Sequence, residues 1–237
     1  MRQAAIDSWL EVTARRMDLP LGAVARAGPS HRYATSWIRW LSPDRLDVVE
    51  AATGVSSSVV EAFTLSVYDG TALQLDPNSH RLDATFPFGA LSRSRFCPEC
   101  LRESDGRWQL AWRLGWSFMC VLHNCLLADA CSTCGKYQRR QQVYRRVPTP
   151  TMCVCGDMLG AAETVKLPTD HLIVDAQRQV LDVINEGDVS FGAFTVGGPG
   201  PRRFVANRSS VRDVLVAARS LANRVLNYAS THGLAPL

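Results

Sequence analysis

The residues with the clearest chemical potential are the cysteines. All eight lie between Cys97 and Cys155, and seven of them form four close pairs with one histidine: Cys97-x2-Cys100, Cys120-x2-His123, Cys131-x2-Cys134 and Cys153-x-Cys155. The first two pairs supply three cysteines and a histidine, and the last two supply four cysteines. Each set matches the four soft or borderline donors of a tetrahedral Zn²⁺ ion. A two-residue gap lets both side chains of a tight turn face one ion. Gly135 and Gly156, directly after Cys134 and Cys155, suit the positive φ of such turns. Two zinc ions per chain are expected, bound sequentially, although spacing alone leaves a cross-braced combination open. Disulfides fit less well, because the opening MRQAAIDSWLEV lacks an apolar signal core and no export to an oxidising compartment is expected. They would also leave His123 without a role. An iron–sulfur cluster fits less well because histidine is the exception among its ligands. Cys125 stands outside the pairs and reads as a small buried apolar residue.

Both sets are complete with protein donors, whereas a catalytic zinc keeps an open position for water or substrate. The sequence has no His-Glu-x-x-His helix, Gly-x-Ser-x-Gly elbow or phosphate-cradling glycine loop. Neither an enzyme nor a small-molecule substrate is expected. The zincs are expected to be structural staples for a segment with little aliphatic core.

The 237 residues are 46% hydrophobic and 20% charged, an ordinary globular composition that excludes wholesale disorder and fibrous classes. No apolar run approaches the roughly 20 residues of a membrane span, so a cytoplasmic protein with no membrane partner is expected. Net charge is only +4, but residues 91–160 carry 10 basic against 5 acidic groups while residues 1–90 carry 8 against 10. The excess sits with the cysteines. Inside the second zinc loop, Lys136, Arg139, Arg140, Arg145 and Arg146 interleave with Tyr137 and Tyr144, a candidate strip for binding a nucleic-acid backbone.

The elements that must position these groups read as mainly α with small zinc-ribbon or knuckle pieces. Residues 1–90 form a helical domain, 91–160 a double zinc-finger module and 161–237 a C-terminal helical region. Ile6, Leu10, Thr13 and Met17 share one helical face, and the run ends at Pro20. A second helix carries Leu21, Val24 and Ala27 and stops at Gly28-Pro29. Ser42-Pro43 opens a further helix with Leu46, Val49 and Ala52 inside, ended by Gly54. Ser56 then caps one bearing Val59, Val60 and Phe63. This hairpin resembles a helix-turn-helix DNA reader. However, Glu50 occupies a position that is usually small, and Ser57 to Leu65 contains no Arg or Lys, so packing or partner docking is favoured. Trp108, Trp112 and Trp116 recur at four-residue spacing, as one helical face forming core rather than a base-stacking platform. Ile173, Ala176, Val180 and Ile184 form an amphipathic face, and residues 211–226 a wider one. Burial of the latter within the chain is favoured over pairing with a second copy as a homodimer. The Gly197–Pro201 stretch reads as a hinge or exposed loop followed by Arg202-Arg203. His31, His80 and His232 read as ordinary surface or loop residues.

Taken together, these motifs resemble the TniQ family. The similarity rests on Phe96-Cys97-Pro98-Glu99-Cys100-Leu101, Trp108-x3-Trp112-Arg113-x2-Trp116, Cys120-x2-His123-x2-Leu126-Leu127 and Cys131-x2-Cys134-Gly135. Thr53-Gly54, Leu65-x2-Tyr68-Asp69-Gly70, and His171 with Ala176-Gln177 add to it. The resemblance implies a non-catalytic target-selection adaptor of bacterial transposons. Such an adaptor binds target DNA, or a DNA-bound targeting complex, and recruits the AAA+ ATPase that engages the transposase. A zinc-dependent transcriptional regulator, or a protein-interaction scaffold of the same descent, are the alternatives.

Overall fold

The computed structural model describes residues 3–26, 36–84, 86, 89–90, 92–140, 146–186, 189–191, 194–196, 215–216 and 219–220. Gly28-Pro29, His31, Tyr144, Arg145, residues 197–203, most of 211–226 and His232 lie outside them. The described part is helical with two short hairpins. In chain order it runs α1 (Ile6–Arg16), α2 (Leu21–Arg26), α3 (Ser36–Arg39), α4 (Pro43–Thr53), α5 (Ser57–Glu61) and α6 (Pro98–Glu103). There follow β1 (Met119–Cys120), β2 (Cys125–Leu126), α7 (Leu172–Glu186), β3 (Val189–Phe191) and β4 (Phe194–Val196). Three 3-10 turns, at Leu65–Tyr68, Leu110–Arg113 and Leu159–Ala161, punctuate the loops. Among the described residues no helix is long and apolar enough to cross a membrane.

Helix α4 follows its sequence signals closely. Ser42 stands at the N-cap in extended backbone, Pro43 occupies the first turn, and Gly54 closes the helix at φ +70 with its N–H donating to the Glu50 carbonyl. Helix α5 is shorter than its apolar run suggests, stopping at Glu61 before the turn that carries Phe63. The anomalous Glu50 explains its start: its Oε2 accepts from the Ser57 N–H at 2.8 Å and from the Ser57 hydroxyl, capping α5 from the preceding helix. A five-residue helix without a cation differs from a groove-reading recognition helix in both length and charge.

Two apolar clusters organise the chain. The first draws on Ile6, Trp37, Leu41, Leu65, Tyr68 and Leu73, and also takes Leu110, Leu114 and Trp116 from the cysteine-bearing segment, Val183 and Ile184 from α7, and Leu215. The second gathers Phe96, Leu101, Trp108, Trp112, Leu127 and Leu159 around the cysteines. The three tryptophans therefore do not share a helical face. Residues Leu110–Arg113 form a 3-10 turn, which sends Trp108 and Trp112 into one core and Trp116 into the other.

Two helical faces differ from their periodicity. In α1 the buried residues are Ile6, Asp7, Ser8, Glu11 and Ala14, while Met17 is 59% exposed. The carboxylates turn inward because two arginines await them, as described below. In α7 the buried residues are Val174, Gln177, Val183 and Ile184, with Ile173 exposed. Gln177 faces inward because its Oε1 accepts from the backbone N–H groups of Phe118 and Met119, at 2.8 and 3.1 Å. Those donors lie at the start of a ladder only two residues long and need a partner.

Candidate metal centres

Helix α6 and the β1–β2 hairpin build the first cluster. Cys97 is the N-cap of α6, with Pro98 next in the first turn, and its sulfur accepts from the Cys100 N–H at 3.5 Å. The hairpin pairs Cys120 with Cys125, and its turn, which has Asn124 at φ +48, holds His123. His123 Nδ1 thereby stands 3.3, 3.3 and 3.5 Å from the sulfurs of Cys97, Cys100 and Cys120. Cys100 and Cys120 sulfurs are 3.6 Å apart. The second cluster rests on two glycine-terminated knuckles. Gly135 (φ +67) donates to the Cys131 carbonyl and Gly156 (φ +93) to the Cys153 carbonyl, each at 2.9 Å. These turns bring Cys131 within 3.7 Å of Cys155 and Cys134 within 3.6 Å of Cys153, sulfur to sulfur.

The four donors of each cluster lie within 4.8 Å of one another and could hold a metal ion. The pairing is sequential: Cys97, Cys100, Cys120 and His123 in one group, Cys131, Cys134, Cys153 and Cys155 in the other. The separations test the fit. Two thiolates ~2.3 Å from one ion stand ~3.8 Å apart across a tetrahedral edge, and a thiolate and an imidazole ~3.6 Å apart. The observed 3.3–3.7 Å lies close to both and far above the ~2.05 Å of a disulfide. All eight thiols are free.

Outer partners steady these donors, and spacing alone did not reveal them. His123 Nε2 lies 3.1 Å from the Glu103 carboxylate and 3.9 Å from that of Glu99. A proton on Nε2 directed at Glu103 leaves the Nδ1 lone pair facing the sulfurs, the arrangement usual for a metal-bound histidine. Glu99 is itself held by Lys166 at 2.6 Å. Gln109 donates to Cys100 at 3.7 Å, Gln138 to Cys153 at 3.5 Å, and Asp157 lies 3.3 Å from Cys131. Glu99 and Glu103, four residues apart on α6 before a histidine, were the available signal for this shell. Cys125 is fully buried with its sulfur 3.6 Å from Cys97, yet stands outside the four-donor group.

The candidate nucleic-acid strip is reordered. Arg139 is withdrawn from it. Its side chain is 7% exposed, its backbone is left-handed at φ +55, and its guanidinium lies 4.5 Å over the Trp108 ring. Arg139 Nη1 donates to Asp7 at 2.7 Å and Nη2 to Glu11, while Arg113 also donates to Asp7 at 2.7 Å. Two buried carboxylates meeting two guanidiniums make a neutral cluster, the condition under which charges tolerate burial. Burial alone would raise the Asp7 carboxyl, but Arg139 and Arg113 outweigh it and hold Asp7 well below the usual carboxylate range. For Glu11 burial prevails over Arg139, and the neighbouring Asp7 charge adds to it, so its carboxyl is raised. Lys136, Arg140 and Arg146 remain exposed. Arg93, which the sequence did not single out, stacks 4.2 Å over Tyr137.

The profile of one protein family, TniQ, matches residues 5–127, which span the helical N-terminal part and the whole first cluster. No curated protein matches the chain. With more than half of the sequence matched, including the Cys97, Cys100, Cys120 and His123 set and the tryptophan segment between, the chain belongs to the TniQ family.

Proposed function

We propose that the chain is a non-catalytic adaptor of DNA transposition, built on two structural zinc ions. The observation that carries this reading is the TniQ match over residues 5–127, a family of transposition-associated adaptors. In this reading the adaptor binds target DNA, or a DNA-bound targeting complex, and recruits an AAA+ ATPase that regulates the transposase. It works in the bacterial cytoplasm, associated with the nucleoid. Two features support it. Each metal set is filled by four protein side chains, which suits an ion that holds structure rather than one that turns over substrate. Lys136, Arg140 and Arg146 are exposed, and Lys136 adjoins Tyr137, over whose ring Arg93 stacks, so this stretch offers phosphate-binding cations with an aromatic ring among them. Arg145 belongs to the same proposed strip by sequence.

The test has two parts. Duplex binding should weaken on substituting Lys136, Arg140 and Arg146 together with alanine, and the slope of log affinity against log salt should fall by roughly 2–3. An AAA+ ATPase encoded by a neighbouring gene should be found, and should co-purify with the chain without ATP. Absence of both interactions would remove the reading. A protein-interaction scaffold is the second reading, favoured by the cation-free α5 with Val59 45% exposed. ATPase capture with no duplex binding at low salt would select it. A zinc-dependent transcriptional regulator would bind DNA and leave the ATPase behind.

A further inference from the structure

The geometry points to a coupling between the second metal site and helix α1: an ion held by Cys131, Cys134, Cys153 and Cys155 clamps α1 onto the metal-binding module through Arg139. This inference rests on the two metal centres and is independent of the adaptor role, so a chain that binds neither DNA nor ATPase can still show it.

Four observations form a continuous path. Arg139 lies in the loop that the second site closes, five residues after Cys134. Its neighbour Gln138 is anchored at the site, with Nε2 donating to Cys153 at 3.5 Å and to the Lys136 carbonyl at 2.6 Å. The Gln138 carbonyl is fixed in turn by the Ser94 N–H at 3.1 Å. Arg139 then takes a left-handed backbone, uncommon for any residue but glycine. That conformation aims its guanidinium over Trp108 and onto Asp7 and Glu11 of α1.

Without the ion, the loop loses the ligand bonds at both its ends. The left-handed residue loses its support, and the buried cluster loses one of its two guanidiniums, the one that Asp7 and Glu11 share. An uncompensated buried charge is costly enough that releasing α1 to water becomes the better alternative. Only the ionic part of α1 docking follows this path. The Ser8 hydroxyl accepting from Trp108 N–H, Ala5 N–H donating to the Trp108 carbonyl, and Arg15 paired with Asp105 attach α1 to the stretch between Cys100 and Cys120. If those contacts sufficed, α1 would be indifferent to the second ion, and that is the competing account.

Thermodynamic coupling is reciprocal, which allows the test to run in both directions on the full chain. In one arm Cys155→Ser removes the most exposed ligand, leaving one zinc per chain, and amide hydrogen exchange is followed along residues 5–16 and 97–126. Exchange in 5–16 should quicken by about tenfold, within the usual range of coupling, while 97–126 keeps its protection. In the other arm Asp7→Asn retains all eight donors, and zinc affinity of each site is measured by chelator competition. The second site should weaken by about the same factor and the first, reached only through Arg113, by clearly less. Unchanged protection of 5–16 in the one-zinc protein, an unchanged second site in Asp7→Asn, or equal weakening of both sites would each overturn the coupling. If Cys155→Ser also unfolds 97–126, the Asp7→Asn arm decides alone.

Discussion

Glu103 is the outer partner whose removal tests the first metal site most finely. It lies 3.1 Å from His123 Nε2, while His123 Nδ1 faces three sulfurs at 3.3–3.5 Å. Glu103→Ala leaves all four donors in place and removes only the group that orients the ring and fixes its proton on Nε2. Such losses weaken metal affinity by about 10–100-fold. The Glu103 side chain is 55% exposed, so water replaces part of the contact and the lower end applies: about tenfold, or ~1.4 kcal/mol. Glu103→Gln keeps an acceptor oxygen without the charge and should lose about threefold. Glu99→Ala is the internal control, because that carboxylate is 3.9 Å from the ring and engaged by Lys166 at 2.6 Å; it should lose no more than about threefold. The assay is zinc competition with a chromophoric chelator, the first site being assigned by comparison with Cys155→Ser. Equal affinity in Glu103→Ala and the unaltered chain, or a larger effect from Glu99→Ala, would refute the assigned role of the carboxylate.

Other substitutions probe the cores. At pH 7 Asp7→Asn leaves two guanidiniums facing one carboxylate and should cost about 3–5 kcal/mol in denaturant unfolding under saturating zinc. Glu11→Gln should cost less than Asp7→Asn, because Glu11 meets Arg139 alone while Asp7 accepts from both arginines. The sign follows from linkage. Asp7, held low, stabilises the fold above its ordinary carboxylate range, and that contribution is lost as pH falls through its lowered value; Glu11, held high, stabilises only below that range. Gln177→Ala leaves the Phe118 and Met119 N–H groups without their acceptor and should lower stability by about 2–4 kcal/mol, read by the same unfolding curve. Gly106→Ala should be strongly destabilising, since Gly106 has φ +82 and a Cβ would stand 2.7 Å from Pro150 Cγ. Cys125→Ala should keep the zinc count at two per chain by elemental analysis; loss of one equivalent would place Cys125 among the ligands.

The two Cys/His clusters that could hold metal were legible in the sequence because their rules are local. A donor pair inside one tight turn needs only a short gap and a residue that closes the turn, as Gly135 and Gly156 do at positive φ in the second cluster. The start and stop of α4 were legible for the same reason, written as Ser42-Pro43 and Gly54. What failed was periodicity, which assumes that the apolar face is the buried one. In α1 that assumption breaks because Asp7 and Glu11 find Arg139 at separations of 132 and 128 residues. No local pattern announces such a pairing, and the same pairing removes Arg139 from a basic strip to which composition assigned it. Gln177 is hidden similarly, its acceptor oxygen serving a hairpin 59 residues earlier. Glu50 is the intermediate case. It departs from helix-turn-helix preference, and its capping of α5 seven residues on shows why a carboxylate stands there.

Metal content and ligand type of the purified chain test the account at its root. Elemental analysis with zinc-edge X-ray absorption should find two zinc ions per chain with a combined coordination of seven sulfurs and one imidazole nitrogen at tetrahedral distances. A folded chain without metal, or with its cysteines recovered as disulfides, would contradict it.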